Sequence, residues 1–186
     1  MFGQDYVQRS GGQVVRIWTD GACIRNPGPG GWGVVILGSH GYREELSGGE
    51  PRTTNNRMEM LAAIVALEHL KPGKMRVTSD SQYLVFGASK WRFKWKRNGW
   101  RRGPTAASNW IKNPDLWRRL DAVIDRHVSV EWRWVRGHGS DKNNCRADKL
   151  ATEAAAKFCR PKQTVVVQES ALLTSHSSVL SSAVMP

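Results

Sequence analysis

The chain has 186 residues, with 28 Lys+Arg against 16 Asp+Glu, a net charge of +12 and a pI near 10.2. That length suits one domain with a real core plus a tail. The charge points to a polyanionic partner, nucleic acid foremost, with a merely basic ribosomal-type protein as the plain alternative. Three widely spaced cysteines, Cys23, Cys145 and Cys159, make neither a disulfide framework nor a CxxC zinc site. The first residues carry no apolar signal-peptide core, and no run approaches the roughly 18 apolar residues of a membrane span, so a cytoplasmic protein with no membrane partner is expected.

In chain order, residues 1–12 read as a frayed leader, and VVRIWT from Val14, bounded by Asp-Gly, reads as a first strand. NPGPGG (Asn26–Gly31) reads as a turn before a second strand, WGVVIL, and Gly41–Ser47 as a weak third. Thr53, Thr54, Asn55 and Asn56 offer N-caps to a helix that buries Met58, Leu61, Ala62, Val65 and Leu70 on one face and ends at Lys71-Pro72-Gly73. Met75–Ser79 is the fourth strand, followed by a short helix after Asp80. Next come a Trp/Lys/Arg tract over Lys90–Arg102 and a helix from Asn113-Pro114-Asp115 to Arg126, with proline near the first turn. VSVEWRWV alternates as a fifth strand, Gly137–Asn144 is a loop, and a last helix runs from about Arg146 to Phe158. A meander followed by strand–helix crossovers predicts an α/β fold with a mixed sheet. The domain is expected over 13–160, with 161–186, rich in Ser, Thr and Val, a disordered tail.

Acids are scarce, yet Asp20 and Asp80 close the first and fourth strands, Glu59 sits one turn into the first helix and Asp148 early in the last. If those strands are neighbours, the carboxylates converge at one sheet edge, where open α/β sheets hold ligands. Singly, each reads as an ordinary turn acid or solvated helix residue. Together, in a cationic chain, they predict a site for hard divalent cations beside a polyanion.

TDGACIRNPGPGGWG, TTNNRMEMLA, SDSQYL and the GH…AD segment closely resemble the type 1 ribonuclease H family, from about Val14 to Phe158. The resemblance implies a five-stranded mixed sheet in the order 3-2-1-4-5, flanked by helices and carrying a basic protrusion. It implies endonucleolytic cleavage of the RNA strand of an RNA–DNA hybrid by a monomer, giving 3′-hydroxyl and 5′-phosphate ends. Asp20, Glu59, Asp80 and Asp148 match the family's catalytic carboxylates, which hold two Mg2+ ions that Mn2+ can replace, and His138 matches its loop histidine. Asn26, Asn55 and Gln82 match minor-groove positions, where an amide suits a 2′-hydroxyl. Arg52, Thr54 and Asn113 match the pocket for a DNA phosphate.

The tract KWRFKWKRNGWRR resembles the protrusion, with Lys94, Lys96, Arg97 and Arg101 meeting phosphates and Trp91, Trp95 and Trp100 touching sugars or packing the helix. At least two of those tryptophans are expected to form the protrusion's own small core. The loop departs from the family pattern at Ser140, where glycine is usual, and at Cys145, where glutamate is common; Cys145 reads as buried or half-buried. A strand transferase or resolvase on the same sheet gives no reason for TTNNRMEM or the basic tract, and a non-catalytic binder gives no reason for a complete carboxylate set.

Overall fold

The first strand alternates residues for two different layers, which decides the architecture. In β1 (Val15–Cys23), Val15 and Ile17 face one side of the sheet, while Trp18 faces the other. The computed structural model describes residues 13–102, 110–137 and 139–159. The expected leader, His138 and the expected tail lie outside the described residues. β1 pairs antiparallel with β2 (Gly28–Leu37), which pairs antiparallel with β3 (Arg43–Thr53). β4 (Lys74–Ser79) adds parallel to β1, and β5 (Ser129–Trp134) parallel to β4, giving the expected order β3-β2-β1-β4-β5.

Helix α1 (Asn55–His69) is pressed between the sheet and α4 (Pro114–Ile124) and fills the main core with Met60, Ala63, Ile64 and Leu67. Between them come α2 (Gln82–Phe86), a wide π turn (Gly87–Trp91) and α3 (Arg92–Arg97). α5 (Lys142–Lys157) covers the opposite face of β1 and β2, enclosing Trp18, Val35 and Ala147. Among the described residues no helix is long and apolar enough to cross a membrane.

Several expected boundaries are corrected. β2 begins at Gly28, inside the stretch read as a turn, because glycines there serve close packing: a Cβ on Gly31 would stand 2.3 Å from the Ala151 carbonyl of α5. β3 runs past Ser47 to Thr53 because it pairs along all of β2, and as an edge strand it tolerates Pro51. Thr53 therefore lies in the strand, and Thr54 takes the N-cap position of α1 without a side-chain bond. Leu61 and Val65, placed on the buried face of α1, are only half-buried, since that helix is enclosed by both sheet and α4 rather than on one stripe. α5 starts at Lys142 rather than Arg146, because Asp141 caps it by accepting from the Asn143 and Asn144 N–H groups at 3.0 and 3.2 Å.

Candidate active site

Strand register does the first part of the assembly. Trp18 pairs with Thr78 in the parallel β1–β4 ladder, so Asp20 and Asp80 emerge side by side two residues on. Asp20 lies within β1 rather than at its end, and β4 ends just before Asp80. Close helix approach does the rest. A Cβ on Gly21 would stand 2.3 Å from the Glu59 backbone nitrogen, so glycine there lets α1 lie against β1 and brings Glu59 in. Gly33, the partner of Asp20 in the β1–β2 ladder, lets α5 approach at Ala147 and carries Asp148 to the same end of the sheet.

Carboxylate oxygens of Asp20, Glu59 and Asp80 lie within 4.8 Å of one another. With Asp148, Asn55, Asn144, Cys145 and Gly21 they line a cavity of about 200 Å3. Asp20 accepts the Gly21 N–H at 2.7 Å, and the Trp134 indole N–H pins the Asp80 backbone carbonyl at 2.9 Å. Burial first, then the Asp80 and Asp148 charges, push the Asp20 carboxyl from 3.8 up to about 7. Glu59 is raised well above the usual carboxylate range by burial and then by Asp20 and Asp80, against the pull of its Asn55 hydrogen bond. Its Oε2 is buried with no protein partner among the described residues. An all-oxygen donor set that repels itself, with one buried oxygen left over, fits a hard divalent cation.

Two helices present the same device to this cavity: an asparagine one turn ahead of the acid. On α1, the Asn55 amide donates to Glu59 Oε1 at 3.4 Å, and the Asn26 side chain accepts the Asn55 backbone N–H at 3.2 Å. On α5, Asn144 stands one turn before Asp148, 4% exposed, with Oδ1 unpartnered among the described residues. Asn144 was not singled out from the sequence, although its i, i+4 spacing to Asp148 carries the signal. The expected burial of Cys145 is corrected: the residue is exposed at the cavity rim, its thiol donating to the Gly139 carbonyl at 3.4 Å. Position 145 on the first turn of α5 faces the mouth rather than the sheet.

The remaining candidates are not among the residues that line this cavity. Gln82 is exposed on the first turn of α2, Thr54 stands at the cap of α1 and Asn113 at the cap of α4 with a left-handed φ of 55°. Arg52 is exposed at the far end of β3. The guanidinium nearer the start of α4 is Arg57, which grips Asp115, two residues beyond Asn113, through both nitrogens at 3.1 and 2.8 Å. Sequence spacing carried no signal for it.

In the basic tract, Trp100 is buried and half-buried Trp95 packs edge-on against Trp117 at 5.1 Å, so both join the main core rather than forming a small core of the protrusion's own, while Trp91 is exposed. Lys94 and Arg97 are exposed. Lys96 is instead tied to Asp121 at 2.7 Å and Asp125 at 3.0 Å, beside Arg92, which also pairs with Asp121. Lys90, Trp91, Lys94, Trp95 and Arg102 line a groove of about 500 Å3.

The sequence model of the RNase H family matches residues 12–156. A ribonuclease H of Paracoccus denitrificans is 53% identical over 146 residues, covering 76% of this chain and 92% of the relative. One from Alkalilimnicola ehrlichii is 57% identical over 135 residues, covering 72% and 89%. Among solved structures, LC9-RNase H1, a type 1 RNase H with the type 2 active-site motif, superposes with a TM-score of 0.70 at 32% identity, over 81% of this chain and 76% of that one. LC11-RNase H1 in complex with RNA/DNA hybrid superposes with a TM-score of 0.59 at 25% identity, over 78% and 99%. With the family model matching residues 12–156 and the relatives about half identical over most of the chain, the chain belongs to the ribonuclease H family, in its type 1 branch.

Proposed function

We propose that this protein is an endonuclease that hydrolyses the RNA strand of RNA–DNA hybrids, leaving 3′-hydroxyl and 5′-phosphate ends. The observation that carries the reading is the convergence of Asp20, Glu59 and Asp80 oxygens within 4.8 Å, with Asp148 on the same cavity, in a chain of net charge +12. Those four carboxylates are the residues to hold two Mg2+ ions, or Mn2+ in their place. Such ions, when bound, acidify a water and neutralise charge on the reacting phosphate and the departing oxygen.

The chain's own residues position the substrate. Asn26 and Asn55 form a linked amide pair at the mouth, and exposed Gln82 faces solvent beyond Asp80, where amides can both donate to and accept from a 2′-hydroxyl. Thr54 and Asn113, at the starts of α1 and α4, grip a phosphate of the DNA strand together with the exposed Arg52 of β3. Lys94, Arg97 and Arg101 hold the same strand along the protrusion, with Trp91 against its sugars. His138, which matches the family's loop histidine, assists proton transfer or product departure. Incubating labelled hybrid, double-stranded RNA and double-stranded DNA with and without Mg2+ tests the reading. Cleavage confined to the RNA of the hybrid and dependent on the ion is expected; equal cleavage of double-stranded DNA overturns it.

A further inference from the structure

Four cationic side chains on α1, α3 and α4 are held in ion pairs. Arg57 holds Asp115, Arg119 holds Glu68 at 2.6 Å, and Arg92 and Lys96 share Asp121. Arg101 and Arg118 differ. Neither is within ion-pair reach of a carboxylate among the described residues, and both guanidinium groups lie over one indole, that of Trp110, at 4.9 and 5.2 Å from its centroid. Trp110 is 42% exposed and is fixed from behind: it forms an antiparallel bridge with Arg101, and the next residue, buried Ile111, donates to the Trp100 carbonyl at 3.2 Å. The ring removes rotamer freedom from two long side chains without neutralising either of them. Two like charges gathered on one ring repel, and an anion seated between them relieves the repulsion.

The position is equally specific. Arg102, next to Arg101, lines the groove with Lys90 and Lys94, and Trp110 precedes Asn113 by three residues. The pair therefore continues the charged line between protrusion groove and start of α4. We propose that Arg101, Trp110 and Arg118 form a preorganised clamp for a backbone phosphodiester of the DNA strand of the hybrid. This rests on the hybrid-nuclease reading above. The ring is already occupied by guanidinium groups, so the clamp reads charge and not base identity.

The test is hybrid binding by fluorescence anisotropy, without divalent cations, across a KCl series, for the wild-type protein, R118A, W110A and R119A. Arg119 is the control, its charge being committed to Glu68. R118A should weaken binding several-fold and flatten the slope of log K against log salt by about 0.9, the release expected for one phosphate contact. W110A should do part of the same, and R119A should leave the slope at the wild-type value. In steady-state cleavage R118A should raise KM while kcat moves less than twofold.

An R118A slope equal to wild type, with hybrid still cleaved by the wild-type protein, overturns the clamp alone. So does an unchanged slope accompanied by a lower melting temperature for R118A, which would make the cluster only a staple for α4. Failure of the wild-type protein to cleave hybrid overturns the parent reading, and the clamp with it.

Discussion

Asp20 is the residue on which the cavity depends most directly, since burial and two neighbouring carboxylates act on it together. Replacement by asparagine keeps the shape but supplies no charge to hold a cation, so Asp20→Asn should abolish cleavage under Mg2+ while leaving hybrid binding largely intact. More than a few per cent residual activity would sink the metal-holding role. Cys145 gives a second prediction. It is exposed at the cavity rim, so a glutamate there has room and water. Cys145→Glu should raise kcat with little change in KM, more so at low Mg2+ and only while His138 is present, if an acid at this position draws in an ion as product leaves. A kcat identical to wild type across a Mg2+ series would remove that role. The carboxylates themselves were legible because scarce acids stood at the ends of strong periodic segments. Asn144 and Arg57 were not. Asn144 read as loop until the Asp141 cap extended α5 over it, and Arg57 is tied to Asp115, 58 residues away, a contact no local pattern encodes.

At the scale of elements, the protrusion separates charges that look alike in the sequence. Lys94 and Arg97 are exposed on α3, whereas Lys96, two residues from Lys94, is held by Asp121 and Asp125. Lys94→Ala should therefore flatten the salt dependence of hybrid binding more than Lys96→Ala, since a lysine already paired releases fewer counterions from the nucleic acid. Anisotropy titrations of the two single variants decide it; equal slopes would mean that Lys96 leaves its aspartates for phosphate. The elements themselves were legible where one period dominated, as in β1, β4, β5 and α4. They were misread where tertiary packing overrode it. β3 continues through Gly48, Gly49 and Pro51 because β2 offers a full-length partner, and α1 is buried on more than one side because α4 closes over it. The π turn at Gly87–Trp91, which reorients the chain into the protrusion, has no period of its own to detect.

The whole molecule carries net charge +12, yet its cavity concentrates carboxylates out of water, and folding must meet that cost when no cation is bound. The sign follows from proton counts. Asp20 in the folded state keeps its proton up to about 7, whereas the unfolded chain loses it near 3.8, so across that interval the native state binds more protons and stability falls as pH rises. Below the lower value both states are protonated and no penalty exists; above the upper value it is present in full. At about 1.4 kcal/mol per pH unit, Asp20 alone accounts for on the order of 4 kcal/mol, and Glu59 acts in the same direction. Metal-free Asp20→Asn should therefore melt roughly 8–16 °C above wild type at pH 8 and close to it near pH 4. Mg2+ should raise the wild-type melting temperature strongly at pH 8, weakly near pH 5 where protons compete for the same oxygens, and far less in the Asp20→Asn variant at either pH. Thermal melts of both proteins across pH, with and without the ion, provide the measurement. A metal-free wild type whose melting temperature rises steadily from pH 4 to 8, with no gain from Asp20→Asn, would show that the carboxylates ionise without cost and that the cavity is wetter than its burial implies.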